Sequence, residues 1–123
     1  MIKVKSVYAK ASEEDGERIL VDRFWPEGLK THLAQVDEWM SELGPSYDLQ
    51  RFFWDVKRWD EYRAKYEQEL LADGTRTGLL EQLAQKAQNG TLTLLYGNRD
   101  PEHNHAVVLK ELIEDSRWKT KRK

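Results

Sequence analysis

The arrangement of hydrophobic and polar positions along the chain predicts three β-strands. Residues 19–21 are continuously apolar and residues 92–96 are nearly so, which is typical of strands covered on both faces. Residues 2–8 alternate instead, with two lysines on one face. This alternation predicts a strand at the edge of a sheet, where lysine discourages pairing with other chains.

Apolar residues at steps of three and four predict helices between and after these strands. The helical stripes cover residues 59–70, 79–87 and 108–113. Asp100 and Pro101 have the preferences of an N-cap and a first helical residue, so we expect the last helix to begin there. Residues 35–43 fit both a helical and a strand spacing.

Strands separated by helices predict one α/β domain over residues 1–115. A basic tail follows over residues 116–123, and we expect it to be flexible. The expected architecture is a small three-layer sandwich of Rossmann-like topology, with a mainly parallel sheet and helices on both faces. In such sheets ligands bind beyond the carboxyl ends of the strands. We therefore expect a site where residues 22–28 and 97–100 leave the two central strands.

Composition narrows the class of protein. A length of 123 residues allows one domain, and 39% hydrophobic residues with five Trp and five Tyr exclude a disordered chain. The absence of Cys excludes disulfides, thiolate metal sites and a cysteine nucleophile. No stretch has the roughly 20 apolar residues of a membrane span and no signal peptide is recognisable, so we expect a cytoplasmic protein without membrane contact.

Net charge and the absence of known motifs limit the classes of partner and cofactor that we expect. The chain has 22 acidic and 20 basic residues, and five of the basic ones lie in the tail, so the body is acidic and would repel nucleic acid. The positive charge of the tail favours nucleic-acid binding weakly. None of the common cofactor or hydrolase motifs occurs, so no cofactor is expected. The oligomeric state is left open.

Arg23 is the first candidate ligand residue. It follows a buried strand, an unfavourable place for a permanent charge, and its planar fork can hold phosphate or carboxylate. The structural alternative is a salt bridge to Asp22, Asp37 or Asp100. Arg99 is a further candidate in the second loop of the same edge, with a solvated loop charge as its alternative.

His105 is the candidate for acid–base chemistry. It lies near the amino end of the last helix, where the helix dipole disfavours an imidazolium. A neutral imidazole there can accept a proton or hydrogen-bond an anionic group. The alternative is a ring that packs on the sheet and bonds a backbone carbonyl. His103 is two residues away and points to another side of a helix, so no metal site is expected.

Trp25, Gly28 and Asp100 complete the candidate ligand site. Trp25 can form an aromatic wall, stiffened by Pro26, while Gly28 allows close approach of the backbone to a ligand. The alternative is that Trp25 plugs the end of the core. Asp100 lies beside Arg99 in the second loop.

Four segments of the chain carry a recognisable signature: residues 21–28 (VDRFWPEG), 42–46 (ELGPS), 90–96 (GTLTLLY) and 100–106 (DPEHNHA). In order and over residues 2–113, they resemble the YeaO-like branch of domain-of-unknown-function family 488. The resemblance implies the same α/β sandwich and favours a functional role for His105. Phe24 and Glu27 depart from the family, which commonly has Leu or Val and a basic residue there. Asn104 and Ala106 stand where the wider family often has Cys and Arg.

These observations predict a site for a small anionic ligand at the carboxyl edge of the sheet. Arg23 and Arg99 would bind the anion, and Trp25 would form one wall of the pocket. His105 would donate a hydrogen bond to the ligand or transfer a proton. Hydrolysis and group transfer are both compatible with such a site, but no nucleophile is identifiable and enzyme activity is left open. The alternative function is a non-catalytic regulatory or nucleic-acid-associated interaction module that uses the basic tail.

Overall fold

Four parallel strands form one sheet in the computed structural model, which describes residues 1–52 and 55–115. The strands are β1 (Ile2–Ser6), β2 (Glu17–Leu20), β3 (Glu38–Trp39) and β4 (Leu92–Tyr96). The helices are α1 (Thr31–Ala34), α2 (Tyr47–Phe52), α3 (Trp59–Leu71), α4 (Gly74–Asn89) and α5 (His105–Glu114). The expectations about the tail, residues 116–123, fall outside the described residues and stay predictions.

The strand order β1-β4-β2-β3 confirms a parallel α/β sheet. Strand β4 lies between β1 and β2, with Ile19 and Val4 both opposite Leu94. All five residues of β4 are buried, as its continuous apolar run predicts, and β1 is an edge strand as its alternation predicts. The carboxyl ends of β2 and β4 therefore lie side by side at one edge of the sheet.

Helices α3, α4 and α5 cover one face of the sheet. Their predicted apolar stripes supply Tyr62, Tyr66, Leu70, Leu80 and Leu83, which form one buried cluster with the sheet residues on that face and with α5. This cluster is the main hydrophobic core.

The opposite face is covered by loops and the one-turn helix α1. Part of it is apolar, where Val7, Leu20 and Leu95 pack against Trp25 and Leu29. The other part is polar and is closed by the segment around a short 3-10 helix, Glu13–Asp15. The sheet is thus the middle layer of three, and the layer on this face consists mostly of irregular chain.

Two local expectations are now resolved. Residues 35–43 form the short strand β3 followed by a 3-10 helix, Ser41–Leu43. The prediction that α5 begins at Asp100 is wrong: Asn104 is the N-cap, its side chain accepting from Val107 N at 3.0 Å. The Asp100 carboxylate instead accepts from the N–H groups of Glu102 and His103, which makes a turn before the helix. In the described part of the chain, no helix is long and apolar enough to cross a membrane.

Candidate functional site

A cavity of about 330 Å³ lies at the carboxyl edge of the sheet, where the loops after β2 and β4 meet the start of α5. Its position agrees with the place where parallel α/β sheets bind ligands. It is lined by Asp22, Arg23, Phe24, Trp25, Pro26, Pro45, Gln50, Tyr62, Asn98 and His105.

Asp22 connects the two loops of this edge. Its Oδ2 accepts a hydrogen bond from Gly97 N at 3.0 Å, and its backbone carbonyl accepts from Trp39 Nε1 at 2.7 Å. A Cβ on residue 97 would lie 2.7 Å from Asp22 Oδ2, so the absence of a side chain at Gly97 allows this contact. The carboxylate is thereby fixed beside the first turn of α5.

Asp22 and His105 lie against each other in the lining of the cavity, with His105 buried and Asp22 half-buried. Asp22 Oδ1 lies 2.8 Å from His105 Nε2, close enough for an ion pair when the imidazole is protonated. The two groups are not aligned for a hydrogen bond. Both atoms are buried and have no aligned hydrogen bond in the described part of the chain, so their electrostatic contact with each other is what compensates them.

Arg23 is held by backbone carbonyl groups and not by a carboxylate. Its Nε donates to Pro45 O and its Nη2 to Gly44 O, each at 2.9 Å. The expected salt bridges to Asp22, Asp37 or Asp100 are absent among the described residues; Asp37 instead accepts from Arg18 N. A guanidinium has five N–H donors, and two are used here. Arg23 therefore keeps a fixed position while donors remain for a ligand.

The loop that holds Arg23 is itself anchored by α3. Tyr66 donates its hydroxyl hydrogen bond to Leu43 O, and Glu69 accepts from the backbone N–H and the hydroxyl of Ser46. Gly44 lies between these anchors, and a Cβ there would be only 2.2 Å from Arg23 N. Glycine is therefore required at this position by the close approach of two backbone segments.

Aromatic rings form the walls of the cavity. Trp25 donates from Nε1 to Leu29 O at 2.9 Å and packs edge-to-face on Trp39, with ring centroids 5.4 Å apart. Tyr62 stacks on Trp59, and burial raises the pKa of its phenol above the ordinary value, an effect increased by the charges of Glu69 and Asp22. Tyr62 thus presents a neutral phenol to the cavity.

The structure brings some of the predicted site residues together and separates others. Arg23, Trp25 and His105 line the same cavity, and Trp25 both walls it and packs on the core. Arg99 is exposed and lines a neighbouring open cleft with Tyr8 and Glu27. Gly28 is exposed with a φ of 75°, and it is not among the residues that line the cavity.

Asp100 also lies outside the cavity lining. Hydrogen bonds lower the pKa of its carboxyl, first that from the backbone N–H of Glu102, then those from His103. Its Oδ2 is 3.0 Å from His103 Nδ1. His103 and His105 therefore have different carboxylate partners. Within residues 1–52 and 55–115, no three acidic or histidine side chains are grouped to hold a metal ion.

Asp22, Phe24 and Tyr62 are among the cavity residues that the sequence analysis did not assign to the site. Asp22 comes directly after the strand at residues 19–21, and this position was the available signal. Tyr62 is part of a helical stripe whose pattern predicts a core residue. It is buried as expected, but it also borders the cavity.

The comparisons with known proteins agree with the resemblance seen in the sequence. Residues 1–123 match the family DUF488-N3i, described as "Inactive DUF488-N3 subclade", and the chain belongs to this family. It is 40% identical over 113 residues to the uncharacterized protein YeaO of Escherichia coli K12, covering 91% of this chain and 96% of YeaO. It is 29% identical over 113 residues to the uncharacterized protein Rv3073c of Mycobacterium tuberculosis, covering 91% and 92%. No solved structure matches the chain.

Proposed function

We propose that this protein binds a small ligand bearing a phosphate or carboxylate group in the cavity at the carboxyl edge of the sheet. The observation that carries the proposal is the state of Arg23: two backbone carbonyls hold it at the cavity, and no carboxylate neutralises it among the described residues. A partly buried guanidinium in this state is a strong receptor for an anion because its planar fork matches phosphate and carboxylate.

His105 and Asp22 give the site a second polar group. The His105 Nε2 lies 2.8 Å from Asp22 Oδ1, and both residues line the cavity beside Arg23. Trp25 serves as the wall against which the ligand lies.

We assign no reaction to this site. The described lining has no serine, threonine or lysine side chain, and its Asp22 and His105 side chains are in contact with each other. The description of the family as inactive fits binding without turnover. Binding alone would suit a protein that senses, stores or delivers its ligand.

Calorimetric titration with sodium phosphate and with sodium acetate tests the proposal. The matched variants are Arg23→Gln and Arg99→Gln, which remove the same charge from inside and outside the cavity. We expect saturable binding of at least one anion to the wild type, with a loss of about tenfold or more in affinity in Arg23→Gln, as for a charged hydrogen-bond donor. Arg99→Gln should bind nearly as the wild type does.

Sodium chloride keeps the ionic strength constant in this titration, because added salt would otherwise change the screening of every charge and so the measured affinity. Equal affinities for Arg23→Gln and wild type would overturn the proposal. Loss of binding only in Arg99→Gln would move the site to the neighbouring cleft.

A further inference from the structure

The size of the cavity bears on what the ligand contains besides its acidic group. A volume of about 330 Å³ is near the lower end of ligand pockets, which run from about 300 to 1,000 Å³. Inorganic phosphate, with one phosphorus and four oxygens, is small for a pocket of this class, so space remains beside Arg23 for an organic part.

The surface around that remaining space is aromatic and rigid. Three aromatic rings line the cavity, those of Phe24, Trp25 and Tyr62. Trp25 is oriented by its hydrogen bond to Leu29 O, and Tyr62 by stacking on Trp59 at 5.6 Å between centroids. A wall whose rings are already fixed loses little conformational entropy when a ligand packs on it.

Phe24 adds an exposed apolar surface at this site. It is 60% exposed although it lines the cavity and directly follows Arg23 in the chain. A single exposed aromatic ring is ordinary on a protein surface, but here it lies beside the guanidinium that holds the anion. A ligand held by Arg23 would cover part of this ring.

We infer that the ligand is an acid that carries an aromatic ring, packed against Phe24, Trp25 and Tyr62 while its phosphate or carboxylate is bound by Arg23. This inference rests on the proposed function, since it assumes that the anion binds in this cavity. Aromatic rings pack on one another in offset or edge-to-face geometry and gain more than the area they bury, which a saturated ring of the same size does not.

Three phosphate monoesters separate the contributions of the anionic group, of apolar burial and of aromatic packing. They are methyl, cyclohexyl and phenyl phosphate, titrated calorimetrically at one pH and ionic strength. We expect phenyl phosphate to bind at least about tenfold more tightly than methyl phosphate because of the apolar surface it buries. It should bind about fivefold more tightly than cyclohexyl phosphate because of aromatic packing. Benzoate and cyclohexanecarboxylate repeat the comparison for the carboxylate.

Phe24→Leu and Tyr47→Leu are matched variants for the same titrations. Both positions are about equally exposed, at 60% and 61%, but Tyr47 does not line the cavity, so both variants should fold. Phe24→Leu should weaken phenyl phosphate about threefold more than it weakens methyl phosphate, while Tyr47→Leu should change neither.

Each other outcome has a defined meaning. If the three esters bind equally and all depend on Arg23, the aromatic inference is wrong and the proposed function stands. If cyclohexyl and phenyl phosphate bind equally, the inference of an aromatic ring is also wrong. If no ester or carboxylate binds in an Arg23-dependent way, the inference and the proposed function both fail.

Discussion

The two ends of strand β2 (Glu17–Leu20) each have an aspartate and an arginine, and the two pairs are bonded differently. At the amino end, Asp15 and Arg18 are both buried and bonded to each other. Arg18 also donates to Ala34 O and Gln35 O, and Asp15 also accepts from Lys5 and Ser12. At the carboxyl end, Arg23 is bonded to two carbonyls only, and Asp22 Oδ1 has no aligned partner among the described residues.

The difference separates a structural cluster from the site where we propose ligand binding. Arg18 is buried, each of its three guanidinium nitrogens donates a hydrogen bond, and the Asp15 carboxylate lies against it, so this group is part of the packed interior. Around Asp22 donors and acceptors remain, and they border a cavity. Buried charges generally require such compensation, so a guanidinium without a carboxylate partner beside a cavity supports the proposed binding.

The largest effect is expected from Asp15→Ala. Removing this carboxylate leaves Arg18 buried without its counter-charge, which should lower the free energy of unfolding by about 3–5 kcal/mol. Asp22→Ala is the matched change at the other end of β2, and loss of the single bond from Gly97 N should cost about 1 kcal/mol. Urea denaturation of both variants measures the difference. Equal losses would contradict the distinction between the two clusters.

Gly44→Ala should have the next largest effect. The new Cβ would meet the backbone of Arg23, and moving that segment should cost about 1–3 kcal/mol and disturb anion binding. The control is Gly78→Ala in the middle of α4, where a Cβ meets nothing within 4 Å. That change should raise stability by up to about 1 kcal/mol. A Gly44→Ala protein as stable as wild type would show that the loop does not hold Arg23 as described.

Acid should lower the free energy of unfolding through the Asp15 carboxyl group, by less than the Gly44→Ala change does. Burial alone would raise the pKa of Asp15, but hydrogen bonds from Lys5, the backbone of Ser12 and Arg18 together lower it. Since the folded pKa lies below the unfolded one, the carboxylate stabilises the protein above the unfolded pKa, about 3.9, and this contribution is lost as the pH falls through the folded pKa.

Asp15→Asn cannot lose a proton from this position and serves as the reference for the pH dependence. The difference in unfolding free energy between wild type and Asp15→Asn should shrink as the pH falls below about 4. Urea denaturation from pH 3 to pH 7 measures it. A difference that grows in acid would mean that the pKa of Asp15 is raised by folding.

His105→Asn should have the smallest effect on stability. Because His105 Nε2 has no aligned hydrogen bond, the change should cost less than about 1 kcal/mol, while the response of the melting temperature to phosphate esters is lost. Thermal melts with and without phenyl phosphate test both statements. A drop of about 1–3 kcal/mol with an unchanged ligand response would identify His105 as a structural residue.

The local pattern of the sequence predicted the long helices and the central strand well, but it did not predict the short helices α1 and α2. The apolar run at residues 92–96 coincides with β4, and the stripes at residues 59–70 and 79–87 lie within α3 and α4. These elements have one dominant periodicity each. The start of α5 was misplaced because Asp100 and Asn104 are both strong capping residues, and the turn formed by Asp100 before the helix decides between them.

The site was predictable in position but not in its contacts. The topology of a parallel sheet brings Arg23 and His105 to one edge, and both line the cavity. The Asp22–His105 contact joins residues far apart in the chain, which no local periodicity records. The partners of Arg23 are the backbone carbonyls of Gly44 and Pro45, and backbone groups leave no side-chain signature in a sequence.

The contrast between Arg18 and Arg23 can be measured directly by nuclear magnetic resonance of the arginine side chains. Phenyl phosphate is titrated into ¹⁵N-labelled protein at constant ionic strength, and the Nε–H signals of Arg18, Arg23 and Arg99 are followed. The account predicts a saturable shift of the Arg23 signal, with Arg18 unmoved and Arg99 changed little. An Arg23 signal that stays in place at saturating ligand, or a larger shift at Arg18, would contradict it.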